Sequence, residues 1–249
     1  MKIATITPTR GDRSALLQNA MKMIKLQTHQ PDEIIVVDDV PRTDGYDVNW
    51  RYHKGCHEAV KRGCHLLIFW EDDDYYAPRY IETMAAFYEK NTQRPLVFGI
   101  GDTIYYSLRL RKWNKFFHPG RASAMNTIIT AEAFRTFAWP KDTTTHYDPL
   151  HGKGFLDRQL WDWASQHKSG KTFASHIYSP LSIGIKHGIG KCAGSHHDTN
   201  EQSWLIPLKI HDPDLSWLRQ HVTPEIFPFY EKLAQKLKEQ GKEKEKGKA

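Results

Sequence analysis

Three short runs of β-forming residues in the first 70 positions each end in polar or acidic side chains, and a stretch of helical pattern follows each of the first two. The runs are KIATIT (2–7), EIIVVDD (33–39) and HLLIFW (65–70). Continuous apolar and β-branched runs are typical of strands that are buried on both faces. This order therefore predicts an α/β fold with a mostly parallel sheet flanked by helices, whose ligands bind at the carboxyl ends of the strands.

The remaining elements are predicted from their periodicity. The first helix lies in RSALLQNAMKMIKLQ (13–27) and the second covers about 53–62. Later segments read as strands at 95–100 and 103–108, a strand running into a helix at 126–137, an amphipathic helix at 155–167 and a terminal helix at 225–240. Loops are expected at 145–154 and in the Gly- and His-rich segment 183–197.

The third strand ends in four consecutive carboxylates, Glu71, Asp72, Asp73 and Asp74. Like charges packed at a strand end need a compensating cation, and Mg²⁺ or Mn²⁺ prefers carboxylate oxygen. Such ions complete their coordination with water and substrate phosphate, so a ligand that carries a diphosphate is implied as well. The alternative is a solvated acidic turn that caps the helix beginning near Pro78.

Polar residues also follow the first two strands, at Thr7 to Arg10 and at Asp38 and Asp39. In a parallel sheet these positions share one edge with the acidic run after the third strand. Their convergence favours a nucleotide pocket over scattered surface charges.

Composition places the chain among soluble globular proteins, with 249 residues of which 39% are hydrophobic. The longest apolar stretch, Leu66 to Trp70, is too short to cross a bilayer, and the N-terminus lacks a signal-peptide core, so a cytoplasmic location is expected. The three cysteines (Cys56, Cys64 and Cys192) lack zinc-ribbon spacing and are expected to be reduced thiols, although His57 and His65 keep a zinc site as an alternative.

The formal net charge of +6 would suit a polyanionic partner. The segment 236–249 supplies half of it, with six Lys and three Glu, and is expected to be a frayed, solvated tail.

The assembled pattern resembles glycosyltransferase family 2, whose members have the GT-A fold. The resemblance covers about residues 2 to 200 and is carried by ITPTR, LQTHQP, EIIVVDD and the DxD-type run EDDDYYAP. It implies a GT-A domain over 1–200, with a nucleotide-sugar-binding half (1–100) and an acceptor-binding half (101–200). A C-terminal helical extension follows at 201–249.

The resemblance also implies roles for individual residues. The nucleotide would be bound by Thr7, Pro8, Thr9, Arg10, Asp38, Asp39 and Asp72. Asp73 is the first choice for the metal ligand, with Asp74 as an auxiliary, and Glu71 stands where many relatives have Asp.

Two later positions match the family's pattern. Asp157 in FLDRQLW becomes the candidate catalytic base, with Leu156 where relatives carry Glu; the alternative is that Asp157 only caps its helix. His187 in IKHGIG resembles a late histidine that completes the metal shell, and Lys186 and Lys191 lie near enough in sequence to neutralise a diphosphate. Weaker candidates are His151, His196 and His197.

The sequence thus predicts an inverting glycosyltransferase that depends on Mn²⁺ or Mg²⁺ and takes its sugar from a nucleotide-diphosphate donor, for which a UDP-sugar is favoured. The expected acceptor is a saccharide or surface glycan. The stripe SLRLRKWNKFFHPGR (107–121) interleaves basic and aromatic residues, which keeps two alternatives open: transfer to hydroxymethylated bases in DNA, as in phage enzymes, and a non-catalytic nucleic-acid-binding module.

Overall fold

The computed structural model of the chain describes residues 1–11, 13–40, 47–140, 156–175, 177–187 and 209–246. The predicted loop 145–154 and the segment after His187 lie outside the described residues. The same holds for Lys191, Cys192, His151, His196 and His197.

Two sheets form the centre of the molecule. Their strands are β1 (Ile3–Pro8), β2 (Glu33–Val37), β3 (Leu66–Phe69), β4 (Tyr75–Tyr76), β5 (Val97–Ile100), β6 (Asp102–Ser107), β7 (Lys112–Phe117), β8 (Thr127–Thr130), β9 (Gly170–Phe173), β10 (Ser182–Lys186) and β11 (Ile210–His211). The larger sheet has the order β2-β1-β3-β8-β5-β9, and the smaller has the order β11-β7-β6-β10-β4.

The larger sheet is mostly parallel, as predicted. β1 pairs in parallel with both β2 and β3, and β5 pairs in parallel with β9, while β8 runs antiparallel to its two neighbours. All residues of β1, β3 and β5 are buried, which explains why these strands read as continuous apolar runs. Their carboxyl ends bring the polar residues after β1, β2 and β3 to one edge.

Helices cover both faces of this sheet and one face of the smaller one. They are α1 (Ser14–Lys25), α2 (Val48–Lys61), α3 (Tyr80–Lys90), α4 (Ala131–Thr136), α5 (Leu156–Gln166), α6 (Ser216–His221) and α7 (Phe227–Lys246). On α1, the residues Leu16, Ala20, Met23 and Ile24 are buried at the spacing of an amphipathic helix. None of the helices in the described part of the chain has the length and apolar content needed to cross a membrane.

The smaller sheet is amphipathic. Ile104, Tyr106, Trp113, Ile183 and Ile185 face the apolar cluster that also takes up buried residues of α6 and α7. Side chains at the alternate positions, including those of Tyr105 and Lys186, face the other side. This second face meets the carboxyl end of β3, because β10 pairs with β4 directly after the acidic run.

Three predictions of local structure are wrong in part. The segment predicted as a loop from 183 onward begins as strand β10, because Ile183 and Ile185 are buried in the core and Gly184 leaves room for the ring of Tyr105. The segment from 236, predicted to be a frayed tail, continues helix α7 to 246. Helix α2 begins at Val48, earlier than predicted.

The contact between β5 and β8 depends on Gly99. A Cβ at this position would lie 1.9 Å from the backbone oxygen of Asn126. We expect Gly99→Ala to lower the free energy of unfolding by about 3 kcal/mol, since backbone atoms of a paired strand cannot move aside cheaply. Urea denaturation measures this change.

Gly63→Ala is the matched control for that substitution. Gly63 has a φ of +78° but nothing within 4 Å of an added Cβ, so only backbone strain of about 1 kcal/mol is expected there. Equal losses in the two variants would contradict a steric role for Gly99.

Candidate active site

The acidic run after β3 forms a compact cluster. Glu71, Asp73 and Asp74 each place one carboxylate oxygen within 4.8 Å of those of the other two. The cluster is framed by hydroxyl groups, because the Tyr52 hydroxyl lies 3.5 Å from Glu71 Oε1 and the Tyr76 hydroxyl accepts from the Glu71 amide at 2.9 Å. An acidic turn that is exposed to solvent would not need these two hydroxyl contacts.

Asp74 points inward from this run. Its Oδ1 accepts a hydrogen bond of 2.7 Å from the amide of Ile185 on β10, and its Oδ2 is buried with no hydrogen-bond partner among the described residues. Burial raises the pKa of Asp74 to about 6, although the charge of Lys186 opposes the rise. Burial also raises the pKa of Glu71, and the charges of Asp74 and Asp73 act in the same direction.

Arg13, the residue before α1, binds two of the carboxylates. Its Nη2 lies 3.0 Å from Asp72 Oδ1 and its Nη1 lies 3.0 Å from Asp73 Oδ2. Burial raises the pKa of Asp72 to about 7, with the charge of Asp73 adding to the rise and that of Arg13 opposing it. Burial alone would raise the pKa of Asp73 too, but the hydrogen bond of His187 and the charge of Arg13 lower it below its ordinary value.

The end of β10 supplies the second basic group. His187 is fully buried, and its Nε2 lies 3.3 Å from Asp73 Oδ2. The ammonium group of Lys186 lies within electrostatic range of Asp74, Asp73 and Glu71. β10 reaches the acidic run because it pairs with β4 and with β6.

The charges in this cluster do not balance. Four carboxylates meet two permanent cations, Arg13 and Lys186, within the described ranges, and the raised pKa values of Glu71, Asp72 and Asp74 reflect the cost of ionising all four side by side. The three clustered carboxylates and the unpartnered oxygen of Asp74 form a donor set that suits Mg²⁺ or Mn²⁺. The residues present therefore fit a divalent cation.

The predicted nucleotide residues lie at the ends of β1 and β2. Thr7, Pro8 and Thr9 are buried, and Arg10 pairs with Asp47 at 3.0 Å. The hydroxyl of Thr7 has no hydrogen-bond partner in the described part of the chain.

The two aspartates after β2 differ in their surroundings. Asp39 is half-buried and forms an ion pair with Lys54, whose hydrogen bond lowers the pKa of this carboxylate. Asp38 is exposed. Of the two, Asp39 is therefore the one that the fold holds in place.

Arg51 on α2 ties these strand ends together. Its Nη1 donates to the carbonyl oxygens of Thr9 at 2.6 Å and Val37 at 3.0 Å, and its Nη2 donates to the Asp39 carbonyl oxygen at 2.9 Å and to Asp47 Oδ2 at 2.8 Å. The Arg51 side chain is only 2% exposed. The backbone around the predicted base-binding residues is thus fixed by one buried guanidinium.

Asp157 lies in the first turn of α5. Its Oδ2 is 3.1 Å from Nη1 of Arg121, and backbone N–H groups of the helix start stabilise the carboxylate as well. Burial raises the pKa of Asp157, and the charge of Arg121 opposes that rise. Asp157 therefore has the helix-start contacts of the capping alternative and also a specific ion pair that capping does not require.

Tyr105 lies within electrostatic range of both Asp157 and the acidic cluster. The Lys186 ammonium lies 5.1 Å from the centre of the Tyr105 ring, and the Tyr105 hydroxyl is 3.4 Å from His118 Nε2. Burial raises the pKa of Tyr105 to about 12, and Lys186, Asp157 and Asp74 all act on it electrostatically. Burial also lowers the pKa of His118 to about 4, and the charge of Arg121 lowers it further, which keeps this imidazole neutral at pH 7.

The fold thus gathers Thr9, Asp72, Asp73, Asp74 and His187 at one edge, and Asp157 lies within electrostatic range of Tyr105. Sequence reasoning gave four residues no place in this site: Arg13, Arg51, Tyr105 and Arg121. The position of Arg13 after the end of β1 and directly before a helix could have indicated its role. The contacts of Arg51 with Thr9 and of Arg121 with Asp157 span 42 and 36 positions, and such contacts leave no local pattern in the sequence.

Comparisons with known proteins bear on the fold. No protein-family model matches the chain, and no curated protein sequence matches it. Solved structures do align with it, and one is A197 from STIV, at 14% identity and a TM-score of 0.43, covering 70% of this chain and 83% of that one.

Two further solved structures also align with the chain. Residues 1–349 of S. aureus TarS in complex with UDP align at 12% identity and a TM-score of 0.46, covering 76% of this chain and 61% of that one. A glycosyltransferase involved in the glycosylation of the major capsid of PBCV-1 aligns at 8% identity and a TM-score of 0.43, covering 72% of this chain and 84% of that one. At these identities and TM-scores the similarities carry no argument, and the function has to be argued from the site.

Proposed function

We propose that the chain is a metal-dependent glycosyltransferase of the family 2 type that takes a sugar from a nucleotide-diphosphate donor, with a UDP-sugar favoured. The observation that carries this proposal is the uncompensated acidic cluster at the end of β3. Buried carboxyl groups with raised pKa values, three converging carboxylate oxygens and adjacent strand-end residues suit a divalent cation with a bound diphosphate.

Each part of the site has a role in this proposal. Asp73 and Asp74, with Glu71, hold the cation, and His187 positions Asp73 through its 3.3 Å contact. When bound, the cation stabilises the negative charge of the departing nucleoside diphosphate.

The nucleotide binds along the ends of β1 and β2. Thr7, Pro8, Thr9 and Arg10 line the base, and Asp39, with Asp38 beside it, borders the same region. Asp72 lies nearer the ribose, because it faces Arg13 and the start of α1 rather than β10.

Asp157 is the proposed general base. Its unprotonated carboxylate accepts the proton of the acceptor hydroxyl as that oxygen attacks the anomeric carbon, and a single displacement of this kind inverts the configuration there. Arg121 keeps the carboxylate charged and oriented through its 3.1 Å contact.

A saccharide acceptor fits the described surface better than DNA does. In the predicted basic and aromatic stripe, Lys115 forms an ion pair with Asp102, and Trp113 is buried in a stack on Trp217. Phe117, which is 65% exposed, stays available at the end of β7. Two of the five basic residues of the stripe, Lys115 and Arg121, are thus paired with carboxylates, which weakens its attraction for a phosphate backbone, while an exposed ring suits contact with a sugar.

Thermal denaturation tests the proposal. UDP together with Mn²⁺ should raise the melting temperature, with about 2.7 kcal/mol of stabilisation at a ligand concentration of 100 times Kd. Asp73→Asn should remove the Mn²⁺-dependent part of the shift. The control Asp162→Asn, on the exposed side of α5, should keep it.

A different pattern of shifts would overturn the proposal. If duplex DNA raised the melting temperature and UDP with Mn²⁺ did not, the chain would be a nucleic-acid-binding module.

A further inference from the structure

Asp47 stands directly before α2, at the position where an aspartate usually accepts a hydrogen bond from the first turn of its helix. The side chain of Asp47 forms no such capping hydrogen bond. Its two carboxylate oxygens contact two different arginines instead: Oδ1 lies 3.0 Å from Nη1 of Arg10, and Oδ2 lies 2.8 Å from Nη2 of Arg51. The Asp47 side chain is only 4% exposed, so one buried carboxylate links two guanidinium groups.

The two arginines belong to different parts of the site. Arg51 holds the backbone, because it donates to three carbonyl oxygens at or just after the ends of β1 and β2. Arg10 follows Thr9 after the end of β1, and its side chain is 11% exposed, which places it at the edge of the sheet where the proposed nucleotide residues lie. Asp47 therefore ties the side chain of Arg10 to the strand ends that Arg51 fixes.

A guanidinium group offers hydrogen-bond donors and no acceptor, and nucleotide bases differ in what they present to such a group. Uracil carries a carbonyl oxygen, which is an acceptor, at the position where cytosine carries an amino group, which is a donor. An arginine that is fixed beside the base therefore favours uracil and disfavours cytosine. A mobile arginine can turn away from the amino group, and the preference is lost.

We propose that Asp47 is a positioning residue for the base of the donor: it holds Arg10 beside the base, and the guanidinium group held in this way selects uracil. The inference rests on the proposed function and adds the determinant of base choice to it. In the described part of the chain, the Asp47 carboxylate pairs with the two arginines and with no residue of the acidic run after β3. Binding of Mn²⁺ alone should therefore not depend on Asp47.

Calorimetric titration with UDP and with CDP, both in saturating Mn²⁺, tests the inference without an activity assay. The two nucleotides share the ribose and the diphosphate, so the ratio of their affinities isolates the contribution of the base. Wild type should bind UDP at least about tenfold more tightly than CDP, and in Asp47→Asn this ratio should fall below about threefold. Asp47→Glu keeps the charge but moves it by one methylene group, and it should lower the ratio as well. The affinity for Mn²⁺ alone should stay at the wild-type value in both variants.

Further variants show whether Asp47 acts through Arg10. Arg10→Met removes one guanidinium group while Arg51 keeps its contact with Asp47, so this variant should lower the ratio in the same way. Adding Asp47→Asn to Arg10→Met should then change the ratio no further, because residues that act through one another are not additive. Glu33→Gln is the matched control, since Glu33 on β2 also pairs with two cations, and it should keep the wild-type ratio.

The outcomes separate this inference from the proposed function. A wild-type protein that binds UDP with Mn²⁺ but no more tightly than CDP overturns the inference, and this measurement needs no variant to fold. Equal weakening of both nucleotides by Asp47→Asn, or a further drop of the ratio in the double variant, leaves Asp47 with a purely structural role. If wild type binds neither Mn²⁺ nor UDP, the proposed function fails first and the inference fails with it.

Discussion

Asp157→Asn should reduce the rate of glycosyl transfer by about 10²- to 10⁴-fold, which is the usual contribution of a general base. The amide is nearly the same size as the carboxylate and still accepts hydrogen bonds from Arg121 and from the helix start. The substitution therefore removes proton acceptance with little change in packing. The measurement is the release of UDP from nucleotide-sugar donors in Mn²⁺.

Two results distinguish a base from a helix cap. The thermal shift caused by UDP with Mn²⁺ should be the same in Asp157→Asn as in wild type, because the residue does not contact the acidic cluster directly. Asp162→Asn, one turn further along α5, should keep full activity. A variant at Asp157 that turned over donor at the wild-type rate would leave only the capping role.

The pH dependence of the transfer rate gives an independent test of Asp157 as a base. A base works only when unprotonated, so the rate should fall as pH falls through the pKa of Asp157, which burial raises above its ordinary value. Besides burial, the groups that act on this carboxylate are Arg121 and the backbone N–H groups of Arg158 and Asp157. Arg121→Met should move the acidic limb to higher pH, because a positive charge that opposes the rise is lost, and Arg121→Lys should restore part of it.

Arg51→Met should lower the free energy of unfolding by about 3–5 kcal/mol, as expected when one partner of a buried ion pair is removed. Three carbonyl oxygens would each lose a hydrogen bond, and of the two arginines that pair with Asp47 in the described part of the chain Arg10 alone would remain. Such a loss is a large share of the stability of an ordinary domain. Urea denaturation at pH 7 measures it.

Arg62→Met is the matched control. Arg62 forms ion pairs with Glu33 and Glu58, but its side chain is 46% exposed, so its loss is expected to change the free energy of unfolding far less than the loss of Arg51. Weaker UDP binding should accompany the loss of Arg51, because the strand ends beside Thr9 and Asp39 would no longer be fixed. Equal destabilisation by the two variants would show that burial of Arg51 contributes nothing.

Much of the first half of the fold is readable from sequence. The runs that become β1, β2 and β3 are apolar and continuous because both faces of the sheet are covered, and their acidic or polar ends fall at one edge because parallel strands share a direction. The strand β10 was missed because Ile183 and Ile185 alternate with Gly184 in a short Gly-rich stretch, which also reads as a loop. Its strand character comes from pairing with β6 and β4.

By itself the sequence determined the α/β class, the mostly parallel sheet and the place where four carboxylates follow a buried strand, because these depend on local pattern. Only the tertiary structure decided which cations meet those carboxylates. Arg13 lies about 60 positions before them and His187 lies 114 positions after Asp73, while Arg121 reaches Asp157 across 36 positions. Contacts across such separations depend on sheet order and strand register, and electrostatic forces then act over a few ångströms regardless of distance along the chain.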